Sequence, residues 1–276
     1  LGVIMIDSQC HLTYISKKAK DLKEVLERAN KVGIYYFVDI GVHPSDIDER
    51  LYILSDAEGV FFSMGYYPDY ANENDEHTIK AFELKIKTIN KKTLENRKKL
   101  IYAVGEIGLD YYHDDSNKEE QKKFFSALCN AAKNVDLPIL IHSRDAFKDT
   151  FSILKEADIP KRGIFHCFSG NVEDAKNALD LGYILSFSGS CTYLKNDFLR
   201  EAAKYVPKDM FTIETDSPYL TPQKMRGRAN EPSFIPYTAE VLAEARGESV
   251  SDIMENALIN ASRVLELPID TSKHIN

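Results

Sequence analysis

Eight short apolar runs, rich in β-branched and aromatic residues, recur along this 276-residue chain and alternate with charged amphipathic stretches. The second run, IYYFVDI, is almost continuously apolar, as expected of a strand buried on both faces of a parallel sheet. Eight such strands alternating with helices predict a closed (β/α)8 TIM barrel, with a doubly wound sheet as the alternative. The predicted strands are 3–6, 34–40, 60–64, 101–104, 138–141, 163–165, 183–187 and 210–213.

The stretches between these runs carry apolar residues at three- and four-residue spacing, which predicts helices, most clearly over 22–31, 77–90, 119–134 and 145–157. Residues 220–233 are rich in Pro, Gly and Arg and predict a loop. Two further helices are expected over 236–246 and 250–264, the second capped by Ser249 or Ser251. We find no linker, and the length is ordinary for one barrel, so 1–276 is predicted to be a single domain.

Composition argues against several classes of protein. No stretch approaches eighteen consecutive apolar residues, and the first ten residues lack a basic region, so neither a membrane span nor a signal peptide is predicted. Four scattered cysteines without a CxxC pair indicate reduced thiols in a cytoplasmic protein. A net charge of −8 argues against a broad nucleic-acid-coating face. It leaves room for a nuclease, because metal ions and a few cations can hold phosphates locally.

Polar residues of the metal-binding types stand at the carboxyl ends of five predicted strands. In a barrel these ends meet on one face, where active sites are built. One histidine after an apolar run is usually structural. Two histidines, a glutamate and an aspartate on four strand ends instead predict a site for one or two divalent ions, Mg²⁺, Mn²⁺ or Zn²⁺. The polar residues at the five strand ends, in chain order, are Asp7, Gln9 and His11; Glu106 and Asp110; His142; His166; and Glu214 and Asp216.

Several longer motifs occur in one order along nearly the whole chain: IDSQCHL, AVGEIGLDYY, PILIHSRDA, IFHCFSG, IETDSPYLTP, RGRANEP and NASRVLEL. In these motifs the chain resembles the TatD family of metal-dependent hydrolases, within the amidohydrolase-like barrels. The resemblance implies a divalent-metal-dependent deoxyribonuclease that hydrolyses DNA phosphodiester bonds with a metal-activated water. It also implies that Glu106, His142, His166 and Asp216 bind metal.

The predicted site extends beyond those four residues. We include His11 and Gln9, from the first strand, as metal ligands. Glu106 is expected to bridge two ions that stabilise the attacking and leaving oxygens of a phosphoester. Asp216 is expected both to bind metal and to accept the proton of the attacking water; the alternative for Asp216 is a cap on the following turn.

The chain departs from the family pattern at two places. Many members carry His-x-His after the first strand, where this chain has Gln9-Cys10-His11, and many carry Gly-x-His-Pro after the third, where it has Tyr67. A GVHP string at 41–44 follows the second strand and is interpreted as a coincidence, so His43 is left out of the site. Because an amide offers an oxygen where imidazole offers a nitrogen, we hypothesise that Gln9 weakens the first metal position or shifts it towards Mg²⁺ or Mn²⁺.

Substrate-binding residues are predicted from their position near these ligands. Arg144 lies two residues after His142, and a small basic cluster follows the strand that carries Asp216; both are expected to contact DNA phosphates. Phe168 is expected to stack on a base. A solvated loop is the alternative for the cluster, and a place in the core is the alternative for Phe168. The cluster consists of Lys224, Arg226 and Arg228.

Two other functions are compatible with this pattern. The same ligands could serve a metal-dependent amide or ester hydrolase, for example an aminoacyl-tRNA deacylase. Gln9 and Tyr67 give some support to a non-catalytic binding relative, whereas the presence of Glu106 and Asp216 argues against it. The sequence makes no prediction of oligomeric state.

Overall fold

Eight parallel strands form one sheet in the computed structural model, which describes residues 4–17, 21–94, 100–112 and 117–270. Each strand pairs with the next one along the chain, so the sheet order is the sequence order. The strands are β1 (Met5–Cys10), β2 (Ile34–Asp39), β3 (Val60–Met64), β4 (Ile101–Asp110), β5 (Ile139–Arg144), β6 (Ile164–Phe165), β7 (Ile184–Phe187) and β8 (Phe211–Ile213).

The last strand returns to the first and nearly closes the sheet. The backbone N–H of Asp216 donates to the carbonyl of Gln9 at 2.9 Å, and that of His11 donates to the carbonyl of Ser217 at 2.8 Å. We call this junction between β1 and the segment after β8 the closing seam. The predicted (β/α)8 TIM barrel is therefore confirmed, and the doubly wound alternative is wrong because an open sheet would leave β1 and β8 unpaired.

Helices connect the strands and surround the barrel. Ser249 caps the last helix in a reciprocal arrangement with Asp252, which decides between the two predicted caps. The helices in the described part of the chain are α1 (Leu12–Lys17), α2 (Leu22–Lys31), α3 (Ile47–Ile53), α4 (Glu76–Leu94), α5 (Lys118–Val135), α6 (Phe147–Ala157), α7 (Val172–Asp180), α8 (Asp197–Tyr205), α9 (Ile235–Arg246) and α10 (Val250–Leu265). None of these helices is both long and apolar enough to cross a membrane.

The predicted ends of β1, β4 and β5 were too early. Strand β4 continues to Asp110 and β5 to Arg144, because their polar ends still form ladder pairs, as between Gly108 and His142. A prediction from hydrophobicity ends a strand where its side chains become polar, even when the backbone beyond that point is still hydrogen-bonded to the neighbouring strand. Several predicted site residues consequently lie inside strands, where the ladder fixes their positions.

One end of the barrel is filled with apolar side chains. Side chains from β1 to β7, among them Ile6, Phe61 and Tyr102, pack against Leu258 and Leu265 of α10. This packed layer makes the barrel interior a core and not a pore. The polar residues therefore gather at the opposite end, where the strands finish.

All four cysteines carry free thiols, of which Cys167 alone is partly exposed.

Candidate metal centre

Three side chains from neighbouring strands bring one donor atom each to a common point. Glu106 Oε1 lies 2.7 Å from His142 Nδ1 and 2.8 Å from His166 Nε2. The two histidine nitrogens are 3.0 Å apart. Among the described residues, this is the one set of three or more His, Cys, Asp or Glu side chains whose ligand atoms converge in this way. The set is termed the Glu-His-His centre below.

The backbone of each strand positions these three residues. Glu106 lies in β4, and its N–H donates to the carbonyl of Gly41 at 2.9 Å. His142 lies in β5, and His166 follows β6, where its N–H donates to the carbonyl of Ile141 at 3.0 Å. A Cβ atom at Gly65, just after β3, would come within 2.6 Å of the Glu106 nitrogen. Glycine there lets the neighbouring backbone approach the glutamate closely.

Opposite charges stabilise one another within the centre. Burial by itself would raise the pKa of Glu106, but the neighbouring His166 and His142 hold it well below its ordinary value. Burial would likewise lower the pKa of His166, but Glu106 and Glu214 raise it well above its ordinary value. A carboxylate facing imidazolium groups in a buried place is the arrangement expected where a cation takes the place of the histidine protons.

The donor set fits a divalent ion. Nitrogen and oxygen ligands bind such ions at about 2.0–2.2 Å, so neighbouring ligands of one ion lie about 3 Å apart. The three donor pairs of the centre are 2.7, 2.8 and 3.0 Å apart. One carboxylate oxygen and two imidazole nitrogens are also the ligand types of zinc and manganese sites. Glu106, His142 and His166 would therefore hold the ion.

Two further buried carboxylates contact the far nitrogens of the histidines. Asp110 Oδ2 lies 3.2 Å from His142 Nε2, and the Tyr67 hydroxyl donates to the same oxygen at 2.9 Å. Glu214 Oε1 lies 3.4 Å from His166 Nδ1. At His142 the carboxylate keeps a proton on the far nitrogen, which leaves the near nitrogen free to bind metal and fixes the ring orientation. His166 Nδ1 also lies 2.7 Å from the amide nitrogen of Gln9, so Glu214 and Gln9 together fix the orientation of that ring.

His11 and Asp216 form a second pair beside the centre, across the closing seam. His11 Nε2 lies 3.4 Å from Asp216 Oδ1, and both side chains are largely buried. Asp216 has a φ of 54°, and Cys167, which directly follows His166, has a φ of 41°. Left-handed backbone is unfavourable for residues other than glycine and clusters at functional sites. Here it occurs where the chain turns over the mouth of the barrel.

A cavity of about 1000 Å³ opens over these residues. Among the described residues, its walls carry two cationic side chains, Arg144 and Lys195, and several aromatic ones. Arg144 also stacks on the Tyr112 ring at 3.8 Å. The cavity therefore combines acidic and imidazole groups with peripheral cations and aromatic rings. Its lining includes His11, Glu106, His142, His166 and Asp216, and the aromatic residues Tyr14, Tyr67, Tyr70, Tyr193, Phe198 and Tyr219.

Comparison with known proteins places the chain in a family. The family model described as TatD related DNase matches residues 6–266. This chain belongs to the TatD family. The resemblance found in the sequence motifs is thus confirmed over almost the full length.

Two curated relatives indicate the class of reaction. YabD of Bacillus subtilis (strain 168) is 34% identical over 265 residues, covering 96% of this chain and all of the relative. YcfH of Escherichia coli (strain K12) is 31% identical over 274 residues, covering 98% of each. Both are named uncharacterized metal-dependent hydrolases. With the Glu-His-His centre, this makes the present TatD-family chain a metal-dependent hydrolase.

A solved structure supports the same conclusion for the fold. The crystal structure of YjjV, a TatD homologue from Escherichia coli K12, matches with a TM-score of 0.83 and 26% identity. The match covers 96% of this chain and 98% of that one. A TatD-family hydrolase from Entamoeba histolytica matches with a TM-score of 0.82 at 22% identity.

Among the residues predicted to bind metal in this TatD-family chain, the structure separates three groups. Glu106, His142 and His166 converge, and His11 and Asp216 form the adjacent pair. Gln9 is fully buried and does not line the cavity; its amide nitrogen lies 3.3 Å from Glu106 Oε2 and 2.7 Å from His166 Nδ1.

The residues predicted to contact DNA lie in different surroundings. Arg144 lines the cavity, whereas Phe168 is 1% exposed and packs on Phe147 and Phe187, so it is a core residue and does not present a face to a base. Lys224 pairs with Glu240 at 2.6 Å, away from the cavity. Arg226 stacks at 5.2 Å over Tyr193, a lining residue. Arg228 is exposed and does not line the cavity.

His43 lies outside the cavity lining, as the sequence interpretation expected. Its ring nitrogens contact Ser45 Oγ at 2.7 Å and Glu73 Oε2 at 3.1 Å. The ring also packs against Tyr66 and Tyr70. These contacts account for the side chain as part of the loop after β2.

Sequence reasoning gave no function to four residues that the site contains. Asp110 and Glu214 were recognised only as polar strand ends, and Tyr67 only as a departure from a pattern. Asp110 was detectable, because it lies four residues after Glu106 and side chains two or four apart in a strand share a face. Lys195 lies in a connecting segment without periodicity, so nothing in the local sequence points to the cavity.

Proposed function

We propose that this TatD-family chain is a divalent-metal-dependent deoxyribonuclease that hydrolyses phosphodiester bonds in DNA. The observation that carries the proposal is the Glu-His-His centre at the base of a cavity whose walls bear Arg144 and Lys195. The matching family model is described as TatD related DNase. When bound, a divalent ion supplies Lewis-acid stabilisation of phosphate oxygens and lowers the pKa of a water molecule.

The side chains of the site have separate roles in this proposal: metal binding, orientation of the ligands, proton acceptance and phosphate binding. Glu106, His142 and His166 would hold the ion, and Asp110 and Glu214 would orient the two histidines. Asp216 lies beside His11 at the cavity wall and would accept the proton of the attacking water. Arg144 and Lys195 would hold the phosphates that flank the scissile bond, which compensates for the overall negative charge of the chain.

The proposal is tested by metal-dependent cleavage of labelled DNA oligonucleotides, with the Glu106→Gln variant as the central comparison. The amide keeps the shape of the carboxylate but removes its charge, so we expect the ion to be lost and cleavage to fall at least about 1000-fold, because the ion supplies the stabilisation of the reacting charges. Circular dichroism and thermal melting of the variant check that the barrel still folds.

Two controls sharpen this test. Lys224→Gln alters a cation that pairs with Glu240 outside the cavity and should leave cleavage unchanged. The wild-type protein is also assayed on aminoacyl-tRNA and simple amide substrates. Full cleavage of DNA by Glu106→Gln, or turnover of an amide or ester substrate with no turnover of DNA, would contradict the proposal.

A further inference from the structure

The two oxygens of Glu106 face different neighbours. Oε1 points to the two histidine nitrogens of the Glu-His-His centre. Oε2 accepts a hydrogen bond from the Gln9 side-chain amide at 3.3 Å. Glu106 is 3% exposed and Gln9 is 0% exposed, so water does not compete for either contact. The carboxylate thus has one side for a metal ion and one side already occupied by a neutral donor.

A second ion would need that occupied side. Paired ions in hydrolases lie about 3.5–4 Å apart and share ligands between them. A carboxylate bridges two ions by giving one oxygen to each. Here Gln9 turns its amide nitrogen towards Oε2 and towards His166 Nδ1, and an amide nitrogen cannot act as a metal ligand. The atom of Gln9 that could bind metal, its amide oxygen, is buried without a hydrogen-bond partner among the described residues, and it is the nitrogen that contacts Oε2. Its hydrogen bond satisfies Oε2 without an ion, in a place where an unpaired buried carboxylate oxygen would be costly.

The remaining candidate ligands of a second ion do not complete a site. His11 and Asp216 contact each other at 3.4 Å, yet they form no converging set of three with Glu106 or with any other His, Cys, Asp or Glu in the described part of the chain. Ligands of one ion at about 2.1 Å lie no more than about 4.2 Å from one another. The pair therefore supplies two donors where at least three protein ligands are typical.

We infer that this chain binds a single divalent ion, at Glu106, His142 and His166, and that Gln9 takes the place of a second ion by holding the other oxygen of Glu106. The inference rests on the metal centre of the proposed function and specifies the number of ions in it. His11 and Asp216 remain free of metal and act as polar groups of the cavity wall.

Metal counting tests the inference without any substrate. Metal-stripped full-length protein is dialysed against Mn²⁺ or Zn²⁺, and the bound ion is counted by mass spectrometry and by calorimetric titration. We expect one ion per chain in the wild type. Gln9→His puts an imidazole beside His11, Asp216 and Glu106 Oε2, and should raise the count to two.

Matched variants make each outcome informative. Gln9→Leu removes the amide without adding a ligand and should remain at one ion, whereas Glu106→Gln should lose the ion. The paramagnetic resonance of bound Mn²⁺ gives a second readout, with a six-line spectrum for an isolated ion and an exchange-coupled spectrum for a bridged pair. Two ions in the wild type, or a count of one in a folded Gln9→His variant, would overturn the inference.

The count is independent of the catalytic test. If the chain binds one ion but does not cleave DNA, the single-ion inference stands and the proposed deoxyribonuclease function is wrong. If the chain cleaves DNA and binds two ions, the proposed function stands and the single-ion inference is wrong.

Discussion

His142 contacts a carboxylate at each of its ring nitrogens. Glu106 lies 2.7 Å from Nδ1, on the side of the candidate metal position, and Asp110 lies 3.2 Å from Nε2, on the far side. Burial would raise the pKa of Asp110, but its contact with His142 and its hydrogen bonds lower it. Asp110 therefore stays ionised and accepts the imidazole proton, which would leave Nδ1 as the nitrogen for a metal ion.

Replacing Asp110 with Asn is expected to weaken metal binding by about 10–100-fold, the usual effect of removing such an outer carboxylate. The asparagine oxygen can still accept the hydrogen bond that Tyr112 N–H gives to Oδ1 at 2.9 Å, so the backbone turn is retained. Competition with a fluorescent chelator measures the dissociation constant of Zn²⁺ in the wild type and the variant.

The matched control is Tyr67→Phe. This change removes the hydroxyl that donates to Asp110 and leaves the contact between Asp110 and His142 in place. Its effect on metal affinity should be smaller than that of Asp110→Asn. Equal affinities for Asp110→Asn and the wild type would show that the carboxylate does not orient the histidine.

The sequence predicted which candidate ligands would converge better than it predicted the hydrogen bonds around them. Glu106, His142 and His166 were predicted from strand ends alone, because parallel strands in a barrel finish on one face. The hydrogen bond from Gln9 to Glu106 depends on the rotamers of two buried side chains, which no local pattern records. Phe168 was placed in the site because it lies two residues after His166, whereas its ring is turned into the core.

At the scale of elements, a buried arginine joins helix α3 to two strands. Arg50 is 2% exposed, and its Nε donates to Asp39 Oδ2, at the end of β2, at 2.7 Å. Its Nη1 donates to the carbonyl of Ser63 in β3 and to Asp46 Oδ1, each at 3.0 Å. Asp39 also accepts the N–H of Leu12 at the start of α1. This network holds four segments together at the active end of the barrel.

Arg50→Met should lower the free energy of unfolding by about 3–5 kcal/mol, because the substitution leaves Asp39 as a buried charge without its partner. Urea denaturation followed by circular dichroism measures this difference. Lys17→Met is the matched control, since it breaks the half-exposed ion pair of Lys17 with Glu49. An Arg50 variant no less stable than the Lys17 variant would contradict this account.

The existence of the strands was easier to predict than their limits. All eight apolar runs correspond to strands, because burial on both faces requires continuous hydrophobic residues. Strand β6 is reduced to Ile164–Phe165, since a turn that includes Cys167, with its φ of 41°, follows directly. The short helix α1 follows β1 directly, and it was not predicted because six residues are too few to display a helical period.

At the scale of the whole molecule, Asp7 belongs to the closing seam. Its two oxygens accept the Thr215 backbone N–H at 2.9 Å and the Thr215 hydroxyl at 2.5 Å. Burial raises the pKa of Asp7 to about 8, although the hydrogen bonds from Thr215 act to lower it. The folded chain therefore holds this proton at pH values where an unfolded chain, with an aspartate pKa of about 3.9, has released it.

This difference predicts that the seam loses stability as the pH rises. The contribution from protonated Asp7 is fully present below about pH 4 and is lost as the pH passes through about 8. Asp7→Asn cannot ionise, so its free energy of unfolding, measured in metal-free buffer relative to the wild type, should rise between pH 5 and pH 9. A stability difference that stays constant over this range would contradict the prediction.

The closing seam also determines when the site can exist during synthesis. His11 is made early and Asp216 late, and the pair forms only after β8 has reached β1. A ribosome-bound chain that has not yet exposed the segment after β8 therefore lacks one wall of the cavity, however well its first strands have folded. The cavity is therefore completed only when most of the polypeptide has emerged from the ribosome.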